Sequence, residues 1–258
     1  MFLTIIFASA LLLVSTAAAQ DSDRHHTAPR NATIDAAGAR RLFVEAQAGT
    51  LRIEGRSGIN EVRVTGTARA SVENDLEEIQ LRTSRDGDAV RVIVDIPDRA
   101  SGGWGNRYRG LDLVLEVPNT LVAEVEDGSG ELEIRGIAGL DLEDGSGGIE
   151  IADIGGAVRV VDGSGGISIR NVRGDVRITD GSGAIEIREV TGTLTIEEDG
   201  SGEIIAESIG ASVLVREDGS GSIRVTDVGG DFTVERDGSG SISYRDVKGK
   251  VDVPRKKR

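Results

Sequence analysis

Apolar and polar residues alternate along the chain in one pattern that is repeated seven times between Asp127 and Val253. Each repeat opens with Asp-Gly-Ser-Gly, and successive repeats begin 17 to 19 residues apart. With the aspartate as position 0, apolar residues stand at positions +5, +7, +10, +14 and +16. Only the first repeat is shifted, with Leu140 and Leu142 at +13 and +15. In the repeat from Asp162 the five apolar residues are Ile167, Ile169, Val172, Val176 and Ile178.

Each repeat is predicted to contain two strands and two corners. Apolar residues two positions apart share one face of a strand, and the residues between them are polar, so one face is buried. Asp-Gly-Ser-Gly suits one corner, because Asp accepts a hydrogen bond from the amide two residues on and Gly supplies positive φ. The other corner has a small residue at position +12: Gly139, Gly156, Gly174, Gly192, Ala211, Gly230 and Gly249.

A repeat of this length cannot bury its apolar face alone, but it can do so when stacked on its neighbours. The pattern therefore predicts an all-β protein, a right-handed parallel β-solenoid of seven two-strand coils of 17–19 residues. Seven coils stacked at about 4.8 Å form a rod of about 35 Å. A meander of hairpins also fits the alternation, but it gives no reason for one identical corner in every repeat.

The rest of the chain divides into four segments. Residues 1–19 are uncharged and end in three alanines after an apolar run, which predicts a signal peptide and export to the periplasm, the outer surface or the medium. An uncleaved anchor stays open as the alternative, and no later apolar run has the length of a membrane helix. Residues 20–38 are expected to be a flexible leader, 40–126 an N-terminal β cap, 127–253 the solenoid and 254–258 a basic tail.

Catalysis is not predicted. A Ser between two glycines could be a nucleophile, but no His lies in the repeats, and seven copies of a catalytic site are implausible. A polysaccharide-active solenoid would need clustered carboxylates and aromatic residues. In the repeats only Phe232 and Tyr244 are aromatic, both at inward positions. The chain has no Cys, so disulfides and thiol chemistry are excluded, and no cofactor is expected.

A calcium-binding structural solenoid is the alternative function. The corner aspartates would line up one per coil, and calcium would relieve the repulsion between their carboxylates. Because turn hydrogen bonds can offset the same repulsion and calcium needs six or more oxygens, the leading prediction has no metal. The residues of this alternative ladder are Asp127, Asp144, Asp162, Asp180, Asp199, Asp218 and Asp237.

The loop from Asp98 to Gly110 is the predicted contact site. It holds the only Trp, Trp104, together with Tyr108, Arg107 and Arg109, and exposed aromatic and Arg side chains often anchor binding partners. The alternative is a hairpin tip whose Trp packs back onto the cap.

The net charge of −14 is concentrated in the repeats, and it argues against nucleic acid and anionic lipid as partners. The final four residues, Arg255 to Arg258, carry four positive charges. They are expected to discourage other strands from pairing with the open edge of the last coil. An ordinary solvated tail and a weak anchor on anionic membrane stay open as alternatives.

Val117-Pro118 and the series "SGELEIRG…DGSGGIEI" resemble a bacterial family of "putative adhesins" of unknown function. Members have a strand-rich start and repeats of the type "sGxixixxxxGxvxvxxxsG", and the resemblance covers residues 40 to 253. It implies an exported right-handed β-solenoid and brings no catalytic residues. The expected function is a non-enzymatic adhesin, or a surface or periplasmic module that contacts an unknown protein or glycan of the cell envelope.

Overall fold

The computed structural model describes residues 25–97 and 107–254, and most of them are in β-strands. The predicted signal peptide, Trp104 and the basic residues 255–258 lie outside the described residues. One short 3-10 helix, Glu73–Glu78, interrupts the strands of this part of the chain. No helix in residues 25–97 and 107–254 combines the length and the apolar character that a membrane crossing needs.

Twenty strands follow one another along the described chain. The first seven are β1 His26–Asp35, β2 Arg41–Glu45, β3 Leu51–Arg56, β4 Glu61–Ala70, β5 Gln80–Asp86, β6 Ala89–Asp95 and β7 Arg109–Pro118. The next seven are β8 Val122–Asp127, β9 Leu132–Arg135, β10 Gly139–Asp144, β11 Ile149–Ile154, β12 Val158–Asp162, β13 Ile167–Val172 and β14 Val176–Asp180. The last six are β15 Ile185–Val190, β16 Leu194–Asp199, β17 Gly202–Ile209, β18 Val213–Val228, β19 Phe232–Val247 and β20 Val251–Asp252.

The strands form two parallel ladders, and each coil adds one strand to each ladder. The first ladder runs β6, β2, β8, β10, β12, β14, β16, β18, β19, β20. The second runs β7, β3, β9, β11, β13, β15, β17, β18, β19. Strands β18 and β19 belong to both because they continue through the Asp-Gly-Ser-Gly corner without a break. The parallel β-solenoid predicted from the repeats is confirmed.

Equivalent repeat positions stack directly on one another. Asp144 pairs with Asp127 on one side and with Asp162 on the other, and the apolar positions are in register in the same way. Glu197 is the extra residue where the repeat lengthens to 19 residues. Ile178 pairs with Ile196 and Thr179 pairs with Glu198, so the strand pairing with the preceding coil skips Glu197. The extra residue is thus taken up just before the aspartate, and the inward positions keep their register.

The N-terminal region contains two coils of its own, which revises the expected cap of residues 40–126. Strands β2 and β3 form a coil that stacks between β6–β7 and β8–β9, although it precedes β6 in the chain. Antiparallel pairs then end the stack, with β5 on β6, β4 on β7 and β1 on β4. The closing strands are therefore antiparallel, and the solenoid begins earlier in the sequence than the first Asp-Gly-Ser-Gly.

The flexible leader predicted for residues 20–38 is wrong for residues 26–35, which form strand β1. All ten residues of β1 pair with β4, from His26 with Ala70 to Asp35 with Glu61. Its small apolar side chains pack against the core, and Arg30 Nε donates to the carbonyl oxygen of Ile79 at 2.8 Å. The low apolar content of β1 reflects its place at the edge of the sheet, where only one face needs partial burial.

The last repeat is more exposed than the sequence predicts, because among the described residues only Val251 and Asp252 pair with the outer side of strand β19. Tyr244 occupies the inward position +7, yet it is 51% exposed, whereas Val225 one coil earlier is fully buried. Its ring lies against Phe232, with centroids 6.0 Å apart. The inward position of Tyr244 is therefore corrected: the residue covers the open end of the core.

Position +12 needs a small residue because neighbouring coils approach closely there. A Cβ added to Gly174 would lie 2.5 Å from the carbonyl carbon of Gly156 and 2.7 Å from the amide nitrogen of Ala157. The φ angle of Gly174 is not in the left-handed region, so the requirement is steric. Left-handed φ angles occur at the final Gly of the other corner, between 140° and 155°: Gly130, Gly147, Gly165, Gly183, Gly202, Gly221 and Gly240.

Position +9 is a left-handed residue in every repeat, which the sequence analysis missed. In the first repeat it is Gly136, with a φ of 73°. The strand pairing skips this position, so residues +7 and +10 both point inward although they are three apart. Six side-chain-bearing residues adopt φ angles between 54° and 58° there: Asp153, Asn171, Glu189, Ser208, Asp227 and Asp246.

Replacing Gly174 by Val should destabilise the protein by about 3 kcal/mol, because the side chain would press into the backbone of the preceding coil. Arg177→Val is the matched control on the exposed face of the same coil, and loss of its ion pair with Glu197 should cost less than about 1 kcal/mol. Urea unfolding of both variants measures the difference. Equal losses of stability would contradict the close approach of the coils.

Glu189→Gly should leave stability unchanged or raise it by up to about 1 kcal/mol, because a left-handed residue with a Cβ is strained and glycine removes the strain. Glu186→Gly, three residues earlier in extended strand, should instead cost about 1 kcal/mol. The free energies of unfolding in urea separate the two. A loss at Glu189 as large as that at Glu186 would argue against strain at position +9.

Candidate functional site

A groove of about 430 Å³ runs across three stacked corners at the N-terminal end of the solenoid. The chain enters and leaves the long loop of the β6–β7 coil at Ile96–Pro97 and at Arg107–Arg109, and these residues form one wall. Ala46 to Ala48, from the corner of the β2–β3 coil, and Gly128–Ser129, from the first Asp-Gly-Ser-Gly corner, form the rest. The described residues on either side of positions 98–106, at the ends of strands β6 and β7, thus border a groove.

Tyr108 lies in the chain between Arg107 and Arg109, which line the groove, but it is not itself a lining residue, and its backbone is fixed by Ser71. Its amide donates to Ser71 Oγ at 3.0 Å, and the amide of Ser71 donates to the carbonyl oxygen of Tyr108 at 3.0 Å. The phenol ring is 38% exposed and stacks on His25, with ring centroids 4.8 Å apart. Burial of its hydroxyl, with the charge of Asp112 adding to it, raises the pKa of Tyr108, so the phenol is neutral at physiological pH.

The two arginines beside Tyr108 differ in accessibility. Arg107 is exposed, whereas the side chain of Arg109 is only 16% exposed and pairs with Glu78, with Nη1 and Oε2 3.5 Å apart. Arg109 therefore ties strand β7 to the 3-10 helix, and Arg107 and Tyr108 are the accessible members of the predicted set. Trp104, the fourth member, lies outside the described residues, so its contact role stays a prediction.

An ion pair between Arg69 and Asp112 lies behind the phenol of Tyr108. Asp112 Oδ1 also accepts a hydrogen bond from the amide of Thr50 at 3.0 Å. Burial acts to raise the pKa of Asp112, but the amide of Thr50 and the Arg69 guanidinium together hold it below its usual value. Asp112 and Arg69 are thus both ionised, and their ion pair joins strands β7 and β4 behind Tyr108.

The corner aspartates form a second feature, because they point into the solenoid. Six consecutive members are at most 8% exposed, and Asp199 is fully buried. In the shorter repeats the aspartate lies two positions beyond the last inward apolar residue, as Asp162 does beyond Val160. In the 19-residue repeats it lies three positions beyond, because one extra residue is bulged out, and it still pairs with the aspartate of the neighbouring coil. The buried set, called here the aspartate row, comprises Asp127, Asp144, Asp162, Asp180, Asp199 and Asp218.

Few protein groups donate to the aspartate row. The turn hydrogen bonds predicted for these corners occur at Asp162 and Asp180, whose Oδ1 atoms accept from the amides of Ser164 and Ser182 at 3.1 and 3.2 Å. Neither side-chain oxygen of Asp144, Asp199 or Asp218 has a hydrogen-bond partner. One buried oxygen of each remaining member is also without one.

Ionised neighbours in the aspartate row would repel one another strongly. Two carboxylates about 5 Å apart repel by about 1 kcal/mol in water and by about 3 kcal/mol at an effective dielectric constant of about 20. Burial, together with the neighbouring carboxylates, raises the pKa of Asp144 and of Asp199 to about 7. Burial is also the main cause that raises the pKa of Asp127, Asp180 and Asp218 to about 6.

No group of three or more His, Cys, Asp or Glu side chains is arranged to hold a metal ion within residues 25–97 and 107–254. The aspartate row supplies one carboxylate per coil, whereas calcium takes six or more oxygens from around one point. The row therefore does not have the donor set of a calcium site, and the calcium alternative gains no support from this arrangement.

A charged cluster on the outer face joins the first coil to the next. Glu54 is 7% exposed and forms ion pairs with Arg52, Arg56 and Arg135, of which Arg135 belongs to the following coil. The hydrogen bond from Arg135 lowers the pKa of Glu54 although burial opposes it. Every charge of this cluster has a partner, so it stabilises the stack and offers no free group for a ligand.

Comparison with known proteins finds likeness in solved structures. No model of a known protein family matches the chain, and no curated protein matches it. A putative cell adhesion protein from Clostridium sporogenes is 13% identical, with 89% of this chain and 100% of that chain covered and a TM-score of 0.38. A "putative adhesin" from Bacteroides fragilis is 10% identical, with 89% and 97% covered and a TM-score of 0.43.

A third solved structure, a "putative adhesin" from Parabacteroides merdae, is 10% identical, with 89% of this chain and 96% of that chain covered and a TM-score of 0.36. The descriptions of all three agree with the resemblance drawn from the repeats.

Proposed function

We propose that this chain is an exported, non-enzymatic surface protein of the adhesin type. The stacked coils would serve as a stiff rod, and the groove beside Arg107 and Tyr108 would contact a protein or glycan of the cell envelope. The observation that carries the proposal is the exposed guanidinium of Arg107, which lines the groove and is followed in the chain by the exposed phenol of Tyr108, whose backbone is held by two hydrogen bonds to Ser71.

The chemistry of Arg107 and Tyr108 suits a ligand that bears carboxylates. Guanidinium groups bind carboxylates in pairs of parallel hydrogen bonds, and Tyr offers a flat apolar face together with a hydroxyl that can donate. Both residues belong to the small set of side chains that dominate binding energy at interfaces. An acidic glycan or an acidic protein surface therefore fits the groove better than a basic one.

The stiffness of the rod follows from its hydrogen bonds. Each inner coil pairs along both ladders with the coil before it and the coil after it, so its backbone groups are used on both sides. Ion pairs between coils add to this on the outer faces, as between Arg170 and Glu150. A site at one end of such a stack is held at a fixed distance from the other end.

A binding screen of the mature protein on glycan and protein arrays should identify the partner, and Arg107→Ala with Tyr108→Ala should then weaken binding at least about tenfold, as expected for interface anchors. Isothermal calorimetry with the selected partner measures the change. The fold should be retained, because Tyr108 is held through its backbone. Trp104→Ala with Tyr108→Ala tests the predicted contribution of Trp104 in the same assay.

Tyr244→Ala with Arg245→Ala is the matched control, since it removes an exposed Tyr–Arg pair from the opposite end of the rod. Its affinity should equal that of the unmodified protein. Unchanged binding after substitution at Arg107 and Tyr108, or an equal loss in both double variants, would place the contact elsewhere.

A further inference from the structure

We propose that the aspartate row is an internal chain of shared protons, in which carboxylic acids donate hydrogen bonds to neighbouring carboxylates from coil to coil. Folding at neutral pH would then take up protons, and the solenoid would become more stable as the pH falls towards 5. The row would act as a pH-sensitive element built into the core, separate from the groove at Arg107.

The geometry of the row leaves a proton as the simplest bridge between neighbours. Asp180 and Asp199 are direct partners in the ladder, as are Asp199 and Asp218, so their carboxyl groups project to the same side one coil apart. All three are at most 2% exposed, so bulk water does not reach them. Two carboxylates held this close commonly share one proton.

The surroundings of the row offer no positive charge. No Lys, Arg or His of the described residues forms an ion pair or a hydrogen bond with any of its six members. At the position that the row occupies, the β2–β3 coil before it has Ala46 and the last coil after it has Asp237. The acidic neighbours Glu126, Glu143, Glu198 and Glu217 lie on the outward face of the same strands.

The polar groups that do face the row are backbone amides of its own corners. The amides of Ser164 and Ser182 reach Asp162 and Asp180, and they favour the ionised form of these two members. Both side-chain oxygens of Asp144, Asp199 and Asp218 are without a hydrogen-bond partner, although the amide of Ser201 acts to lower the pKa of Asp199. Asp144 and Asp199 are assigned as the protonated members, because each is buried between two other carboxylates of the row and has a neighbour to accept its hydrogen bond.

The raised pKa values fix the direction of the pH dependence. A carboxyl group whose pKa is higher in the folded than in the unfolded chain binds more protons in the folded state, so stability falls as the pH rises. The contribution is complete below the unfolded value of about 4 and is lost as the pH rises through about 6 and 7. This is opposite to the behaviour of ion-paired carboxylates such as Asp112.

Carbon-13 NMR of the mature protein with labelled aspartate carboxyl groups tests the proposal directly. We expect five carboxyl resonances with titration midpoints near pH 6 to 7. Single substitutions should assign them to Asp127, Asp144, Asp180, Asp199 and Asp218. If every aspartate titrates below pH 5, the row is ionised at neutral pH and the proposal fails.

A pair of adjacent substitutions gives the second test. Asp199→Asn removes an inward carboxyl and should raise the melting temperature at pH 8 by about 3 °C or more, while flattening its fall between pH 5 and pH 8. Glu198→Gln removes the adjacent outward carboxyl and should leave that pH dependence as it is. Equal pH dependence in both variants and the unmodified protein would overturn the proposal, and the NMR titration decides if Asp199→Asn does not fold.

Calcium is the competing bridge, and a third measurement separates it from the proton. Millimolar calcium at pH 8 should change neither the melting temperature nor the carboxyl resonances if protons hold the row. A chelator that lowers the melting temperature of the purified protein by more than about 10 °C, a loss of several kcal/mol, would replace the proton chain by a cation ladder.

Discussion

The stacking of coils in exact register is the constraint on which the rest of the structure depends. Each strand of the solenoid satisfies its backbone hydrogen bonds through the coils on either side, at a spacing of about 4.8 Å. A shift by one residue would turn Ile167 and Ile169 away from the core and expose them. The extra residue at Glu197 is therefore bulged out just before the corner, where it leaves the inward positions aligned.

Register also forces every special feature of one coil onto its neighbours. Glycine stacks on glycine where backbones approach closely, and left-handed residues stack at position +9, where the strand bends. Asn171 Nδ2 donates to Asp153 Oδ1 at 2.5 Å in this second row, so like positions can support one another. In the aspartate row the same rule brings like charges together, and burial with repulsion shifts their pKa values towards neutrality.

The N-terminal end departs from the repeat, and the candidate contact site lies there. The coil β2–β3 stacks between the coils β6–β7 and β8–β9, both of which come later in the chain. Antiparallel strands such as β1 and β4 close this end of the stack. The sequence between strands β6 and β7 has no Asp-Gly-Ser-Gly, and Arg107 and Tyr108 lie just before β7. The opposite end stays open, with Tyr244 half exposed over Phe232.

The sequence by itself determined the coil, its inward positions and its corners, because a period of 17 to 19 residues with apolar side chains two apart leaves few other ways to bury them. The alternation also predicts that Asp162 points inward, because it lies two positions after Val160. This was not inferred from the sequence, since a polar side chain is normally expected at an exposed position. Tertiary structure alone decided what depends on distant partners: the pairing of β1 with β4, the insertion of β2–β3 into the stack, and the burial of Arg109 against Glu78. These contacts join segments that no local pattern relates, since each is selected by the exposed edge or charge that another part of the fold presents.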